Sequence, residues 1–510
     1  MSENGWSSRA SGRIVDDMVA DDRRLYRALA ARDARFDGVF FVGVTSTGVY
    51  CRPICPARTP KSSNCRFFAT PPEAEQAGFR PCLRCRPELA PGSAPVDDAT
   101  RIAALMVERL EASGTDERRG LEAIADEFEL SSRQVRRIVR QELGVPPIQL
   151  LLTRRLLLAK QLLTETMLSI TEIAFASGFA SLRRFNDAFT QRYGMPPTRL
   201  RRNAADHADA ASDGGTLRLR LVYRPPYDWT GILAFLRVRA FAGVEHVTDT
   251  AYARTVRIGA TTGWLRVTHA RAQHALVVEL PPHLAPALPA VLRRVRALFD
   301  LDARPDVIAR HLRRDARLAP GVRATPGLRV PGAFNGFELG VRAILGQQVT
   351  VKGATTLCGR LAQAFSDPIV TPFAELCRLS PSPDRLAAAR PADVARHGIV
   401  GARARSLVAL AKAHVSGAID LDRRDAPRPD DVVRRLLDVP GIGPWTAQYI
   451  AMRALAWPDA FPKEDVAVRR ALGNATATKA DALAESWRPW RSYAVMHLWQ
   501  MAAARAASVG

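Results

Sequence analysis

The chain has 510 residues, 47% of them apolar, which is material for three or four domains with real cores. Its 73 Lys and Arg against 51 Asp and Glu leave a formal charge of +22, which implies a polyanionic partner, nucleic acid before a membrane surface. No apolar run approaches the roughly 18 residues of a spanning helix, and residues 1–20 lack the apolar stretch of a signal peptide, so a cytoplasmic protein without a membrane partner is expected.

After a tail at 1–20, the first domain is expected at 21–90. Residues 40–50 read as a strand run with turn residues in its middle, and 72–78 as a short helix. Cys51-x3-Cys55 and Cys82-x2-Cys85 are two close pairs separated by 26 residues. Two thiolates from one turn can take adjacent corners of a tetrahedron, so the spacing points to one zinc ion on Cys51, Cys55, Cys82 and Cys85. Seven cysteines with four in one set fit metal binding in a reducing compartment better than a disulfide framework. Cys65 lies between the pairs and reads as a bystander. On spacing alone, a purely structural zinc knuckle is the better reading. The stretches FFVGVTSTGVYCRPIC and GFRPCLRC around the ligands, however, resemble the N-terminal domain of the Ada family. That resemblance implies that Cys51 accepts a methyl group from a methylphosphotriester in DNA. A metal-held thiolate is a nucleophile at neutral pH, and its methylation makes the site less negative beside a phosphate backbone.

The second domain is expected at 96–202, after a Pro/Gly/Ala-rich linker at 90–95 and a helical pattern at 97–112. LEAIADEFELSSRQVRRIVRQELGVPPIQLL reads as a helix, a turn at 129–131 and a basic second helix. LSITEIAFASGFASLRRFNDAFTQRYGMPPTRLRR repeats it, with Gly178 in the turn and a second helix at 181–192. Both second helices end in Gly-x-Pro-Pro, which marks an internal duplication joined by a helix at 148–164. Between Ser131 and Arg202 there are 13 Lys/Arg against 4 Asp/Glu. Such an excess can be a solvated face, but the tandem copies resemble the AraC-type transcription regulators. The resemblance makes Arg133, Arg136, Arg137, Arg183 and Arg184 candidates for base or phosphate contacts.

Residues 201–216 are small, polar and Gly-rich at the end, and read as a flexible tether with its linker at 203–215. The third domain, 216–325, opens as strand, turn and helix. Strands are expected at 253–258, 263–268 and 275–280, then a helix at 285–299. RPPYDW and FDLDARP resemble the N-terminal domain of AlkA-type glycosylases, whose role is architectural. His246, His269 and His274 share no ligand spacing and read as ordinary histidines.

The fourth domain, 326–510, reads as helical throughout. Its centre is LLDVPGIGPWTAQYIAMRALAWPDAFPKEDVAVRR: a helix ending near Asp438, a hairpin from Pro440 to Pro444, and a second helix at 445–455. Gly441 and Gly443 lack the Cβ atoms that would hold another backbone away, and Pro444 suits a first helical turn. Free amides at the positive end of a helix dipole suit a phosphate, although an ordinary tight turn has the same letters. The longer pattern resembles the helix-hairpin-helix DNA glycosylases, within them the AlkA-type 3-methyladenine branch. The resemblance implies a hairpin holding a DNA phosphate, with a monovalent cation, and Asp465 as the catalytic carboxylate, Glu464 being the fallback. A fixed anion stabilises the positive charge that builds on the sugar as the glycosidic bond breaks. Trp445 stands where relatives with lyase activity carry a lysine, which implies base removal only. Gln348 matches the residue that wedges into the gap left by a flipped nucleotide, and Trp445, Tyr449 and Trp499 match aromatic positions of the base pocket. An electron-rich pocket would attract cationic alkylated bases by charge.

The expected fold class is thus multidomain α+β: a small zinc-bound α/β domain, an all-α tandem helix-turn-helix domain, an α+β domain, and an all-α helix-hairpin-helix glycosylase bundle. The resemblance implies an alkylation-response protein acting on damaged and promoter double-stranded DNA as a monomer, with RNA polymerase as its partner in activation. Cys358 and Cys377 lack the Pro-Cys-His-Arg setting of the Ada family's second methyl acceptor. Two narrower readings stand beside this one: a regulator with a catalytically silent glycosylase half, and a glycosylase whose first half only raises DNA affinity.

Overall fold

A computed structural model describes residues 22–91, 121–122, 125, 131–205, 215–422 and 429–509, and the chain divides into two compact units, Met1–Arg224 and Pro225–Gly510. The tail, the helical pattern at 97–112, most of 121–130 with its turn, and linker residues 206–214 lie outside the described residues.

In the first unit, a helix Asp22–Ala30 precedes four short strands: β1 Phe41–Val44, β2 Val49–Cys51, β3 Cys65–Phe68 and β4 Arg80–Pro81. They form one sheet in the order β3-β1-β2-β4. The run expected at 40–50 is a hairpin in which Val42 faces Cys51 and Val44 faces Val49, turned by Gly48 at φ +63°. A Cβ on Gly43 would lie 2.8 Å from the Phe68 ring and 2.9 Å from that of Phe79, so the strand needs a residue without one there. The helix Pro71–Gln76 is capped by Thr70, whose side chain accepts from the Glu73 amide. Strand β4 runs parallel to β2, with Val49 opposite Arg80. The Cys82 amide then donates to the Tyr50 carbonyl at 2.9 Å, which delivers the second cysteine pair beside the first.

The duplicated helices follow one local code. Ser131 with Gln134, and Ser169 with Glu172, form capping boxes at the starts of Ser132–Leu143 and Ile170–Ala176. The two recognition-type helices, Ser132–Leu143 and Leu182–Tyr193, stop at Gly144 and Gly194 with φ +75° and +68°. Proline then opens the next helices, Pro147–Glu165 and Pro197–Ala205. Gly-x-Pro-Pro therefore writes the same stop and restart twice. Val135 and Val139 face inward in the first copy, and Phe185, Phe189 and Tyr193 in the second. One expectation is corrected here: residues 201–205 are not tether but the end of a packed helix, with Arg201 donating to the Leu168 carbonyl. Composition misled because the helix is short and polar on its outer face. A strand Leu217–Val222 (β5) ends this unit, and its Arg220 pairs with Glu165 at 2.9 Å.

The second unit opens with the helix Trp229–Arg237, followed by β6 Glu245–Val247, β7 Ala251–Ile258, β8 Thr261–Ala270 and β9 Ala275–Leu280. These run antiparallel in the order β9-β8-β7-β6. The helix expected at 285–299 is a 3-10 stretch, Pro282–Ala287, running into the α-helix Leu288–Leu298. No further strand follows among the described residues. Buried Arg254 of β7 donates to Glu338 at 2.8 Å and so ties the sheet to the helix Gly336–Leu345. Helices Pro429–Leu437 and Pro444–Arg453 flank the hairpin. Gly441 has φ +82°, and a Cβ there would sit 2.1 Å from Ser406 Oγ. Gly443 differs: nothing lies within 4 Å of its Cβ position, so that side is open to an approaching backbone.

Candidate functional site

Four sulfurs gather in the first unit. The Sγ atoms of Cys51, Cys55, Cys82 and Cys85 all lie within 4.8 Å of one another, and all four residues are buried. That is the donor set and the spread of a tetrahedral thiolate site for zinc. Four thiolates this close coexist only around a cation. Arg52 fastens the two pairs together. Its guanidinium donates to the Cys85 carbonyl at 3.1 Å and to the buried Asp37, and its amide donates to Cys85 Sγ at 3.3 Å. Cys65 is outside the group and donates to the Lys61 carbonyl at 3.3 Å, in keeping with a bystander.

The expected DNA-facing arginines lie on open faces. Arg133, Arg136 and Arg137 are exposed on the helix opposite Val135 and Val139, and Arg183 and Arg184 are exposed opposite Phe185 and Phe189. Arg183 lies 4.0 Å from Asp187, with its side chain 93% exposed. Such pairs cost little to open.

In the second unit, Asp465 is the N-cap of the helix Val466–Ala471. Its Oδ1 accepts from the Val468 amide at 2.9 Å and from the Trp499 indole at 3.0 Å. Its Oδ2 accepts from the Trp445 indole at 2.8 Å. Both oxygens are therefore oriented, and two of the three donors are the aromatic residues expected in the pocket. Tyr449 lies stacked on Trp445, centroids 5.4 Å apart and planes at 15°, and 6.3 Å from Trp499. Glu464, the alternative carboxylate, has Oε2 buried and without a hydrogen-bond partner.

Four contributors were not legible beforehand. Phe235 stacks on Trp499 at 6.4 Å and 15°, and Arg239 lies 3.8 Å above Phe235. Arg453 donates to the Tyr449 hydroxyl at 2.7 Å and to the carbonyls of Pro331 and Gly332. The one available signal was helical spacing, since Arg453 follows Tyr449 by one turn. Burial pushes the Tyr449 phenol up, but the charges of Arg453, Arg239 and Arg342 outweigh it and hold the group below its ordinary value. Guanidinium groups therefore lie beside this aromatic cluster, and their charge opposes the pull of its rings on a cation. Gln347 is the fourth: its amide donates to the Gly441 carbonyl at 2.8 Å and to Thr446 Oγ1 at 2.9 Å, bracing the hairpin. Its neighbour Gln348 is exposed at φ +53°, projecting from the same corner. His246 and His269 are half-buried and His274 exposed, with no shared ligand geometry among the described residues.

Four family models match successive parts of the chain. The metal binding domain of Ada matches residues 24–88, and a helix-turn-helix domain matches 124–203. The AlkA N-terminal domain matches 218–335, and the HhH-GPD superfamily base excision DNA repair protein matches 341–491. The chain is 39% identical over 488 residues to a probable bifunctional transcriptional activator/DNA repair enzyme AlkA of Mycobacterium tuberculosis, covering 94% of this chain and 97% of that protein. It is 37% identical over 282 residues to DNA-3-methyladenine glycosylase 2 of Escherichia coli, 55% of this chain and 95% of the relative. Among solved structures it is similar to a 3-methyladenine DNA glycosylase from Archaeoglobus fulgidus, at TM-score 0.49 and 19% identity, over 56% of this chain and 98% of that one.

Proposed function

Because this chain belongs to the family of bifunctional transcriptional activator/DNA repair proteins that join an Ada-type region to an AlkA-type glycosylase, we propose that it detects alkylated DNA, activates a response and excises alkylated bases such as 3-methyladenine. The working division is 21–90, 96–202, 216–325 and 326–510. The observation that carries the excision reading is the double indole grip on Asp465.

In that reading a damaged nucleotide leaves the stack, with Gln348 filling the gap and Gly441 and Gly443 presenting the hairpin amides to a phosphate; a monovalent cation held by the hairpin would offset the phosphate charge. The base lies among Trp445, Tyr449 and Trp499. As the glycosidic bond breaks, its electron pair leaves with the base and positive charge grows on the sugar. Asp465, oriented by both indoles, stabilises that charge and guides a water to the sugar carbon, taking up its proton. Trp445 offers no amine for a Schiff base, so the product is an abasic site with the strand intact.

In the first unit, zinc on Cys51, Cys55, Cys82 and Cys85 supplies charge neutralisation that keeps the sulfurs deprotonated. The Cys51 sulfur forms a bond to the methyl carbon of a phosphotriester, the carbon–oxygen bond breaks, and the electron pair remains on the phosphate. Arg133, Arg136, Arg137, Arg183 and Arg184 hold promoter DNA, and RNA polymerase is the partner of activation; the protein acts as a monomer. The test is separation of functions: Asp465→Asn abolishes excision and leaves activation, and Cys51→Ser does the reverse. Loss of both in either variant would overturn the division of labour.

A further inference from the structure

Within the first unit, the fold that carries the four cysteines meets the helix-turn-helix domain through buried polar ties. Glu75, on Pro71–Gln76, is 6% exposed. Its carboxylate accepts from the Tyr50 hydroxyl at 3.1 Å and from Thr153 Oγ1 at 2.7 Å, and pairs with Arg192 Nη1 at 3.1 Å. Those three donors come from three places: the residue preceding Cys51, the linking helix Pro147–Glu165, and the last turn of the second recognition-type helix, Leu182–Tyr193. Two further ties flank it. Lys160, 1% exposed, donates to the Cys82 carbonyl at 2.9 Å, and Arg86, beside Cys85, donates to Thr164 Oγ1 at 2.7 Å and pairs with Glu165 at 3.1 Å.

Gathering two carboxylates, Glu75 and Glu165, and three cations, Lys160, Arg86 and Arg192, at one largely buried seam is costly, and well-packed apolar residues would hold the seam at least as firmly. Directional bonds achieve something apolar contact does not: they hold one register, because a slip leaves a charge unpaired. The register here connects Cys51 to a helix that carries Arg183 and Arg184 near its other end. An α-helix transmits a tilt along its axis, so a change at Arg192 moves those arginines about 12 to 14 Å away.

We propose that Glu75 is a positioning residue that couples Cys51 to the second recognition helix, so that methylation of Cys51 changes how Leu182–Tyr193 meets DNA. The path runs from Cys51 through Tyr50 and Glu75 to Arg192. The inference rests on the methyl-acceptor reading of Cys51.

The test uses the full chain with bound zinc and a synthetic duplex bearing one methylphosphotriester, the unmodified duplex serving as control. Mass spectrometry reads the gain of a methyl group at Cys51, and amide hydrogen exchange reads residues 182–193. In the unaltered protein, methyl gain is expected to change exchange across 182–193. In Glu75→Gln and in Arg192→Gln, methyl gain and zinc content are expected to persist while that response is lost. Should Glu75→Gln lose zinc, Arg192→Gln decides, since its altered atoms lie outside the cysteine-bearing fold. A response of equal size in the variants, or methyl gain in the unaltered protein with no response at 182–193, overturns the coupling. No methyl gain in the unaltered protein overturns the acceptor reading itself, and this inference with it.

Discussion

Asp300→Asn is predicted to stabilise the second unit at neutral pH, although it removes a charged group with good partners. Asp300 Oδ2 accepts from the Tyr493 hydroxyl at 2.8 Å and from the Val330 amide at 3.3 Å. Burial nevertheless pushes its carboxyl from 3.8 up to about 6, against the pull of Arg329 and these hydrogen bonds. The folded state therefore binds a proton that the unfolded state lacks between those pH values. Stability from this group is fully present below about 3.8 and is lost as pH rises through about 6. Above that, the charged form costs up to about 3 kcal/mol, at 1.36 kcal/mol per unit. Asparagine keeps an acceptor oxygen for Tyr493 and tolerates the local φ of +49°. It forfeits about 1 kcal/mol of charge assistance, so the net gain at pH 7.5 is about 1 to 2 kcal/mol. That corresponds to a rise of about 2 to 5 °C in the midpoint of thermal unfolding. Scanning calorimetry of both proteins from pH 4 to 8 should show the gap opening with pH and closing toward pH 4. A gap independent of pH, or a variant less stable at pH 7.5, would refute the reasoning.

Further predictions concern the two surfaces proposed to face DNA and the carboxylate. Gly441→Ala should unsettle the hairpin, because it combines φ +82° with a contact to Ser406 Oγ, and cost about 1 to 3 kcal/mol of stability; Gly443→Ala should leave stability intact yet weaken binding to duplex DNA, read by calorimetry and fluorescence anisotropy. Trp445→Phe retains the stack on Tyr449 but removes the sole indole donor to Asp465 Oδ2, a charge-assisted bond worth about 1.5 to 3 kcal/mol, so single-turnover base release should fall about 10- to 100-fold. Arg183→Ala with Arg184→Ala should weaken DNA binding by the first unit and reduce its salt-dependence slope by up to about 2, as two phosphate contacts would require.

Much of this was readable where chemistry is written locally. Two cysteine pairs announce a metal site because each pair comes from one turn, and Gly-x-Pro-Pro announces a helix stop because only glycine takes that φ cheaply. Asp465 is singled out by its motif alone. What the letters do not carry is the pairing of distant residues. Nothing near Glu75 signals Thr153, 78 positions away, and nothing near Trp499 signals Phe235. Arginines are hidden for a further reason: buried Arg453 and half-buried Arg239 count as surface charge in any composition, and their roles arise only when carbonyls and rings close around them. The end of the helix Pro197–Ala205 failed the opposite way, since small and polar residues there imitate a linker.

The central claim, that the second unit cuts alkylated bases from DNA with Asp465 as its carboxylate, is tested most directly by the release of free 3-methyladenine from methylated duplex DNA. The intact protein is predicted to release the base and leave abasic sites in unbroken strands, and Asp465→Asn, checked for an unchanged fold, is predicted to release none. No release by the intact protein, or equal release by the variant, would contradict the account.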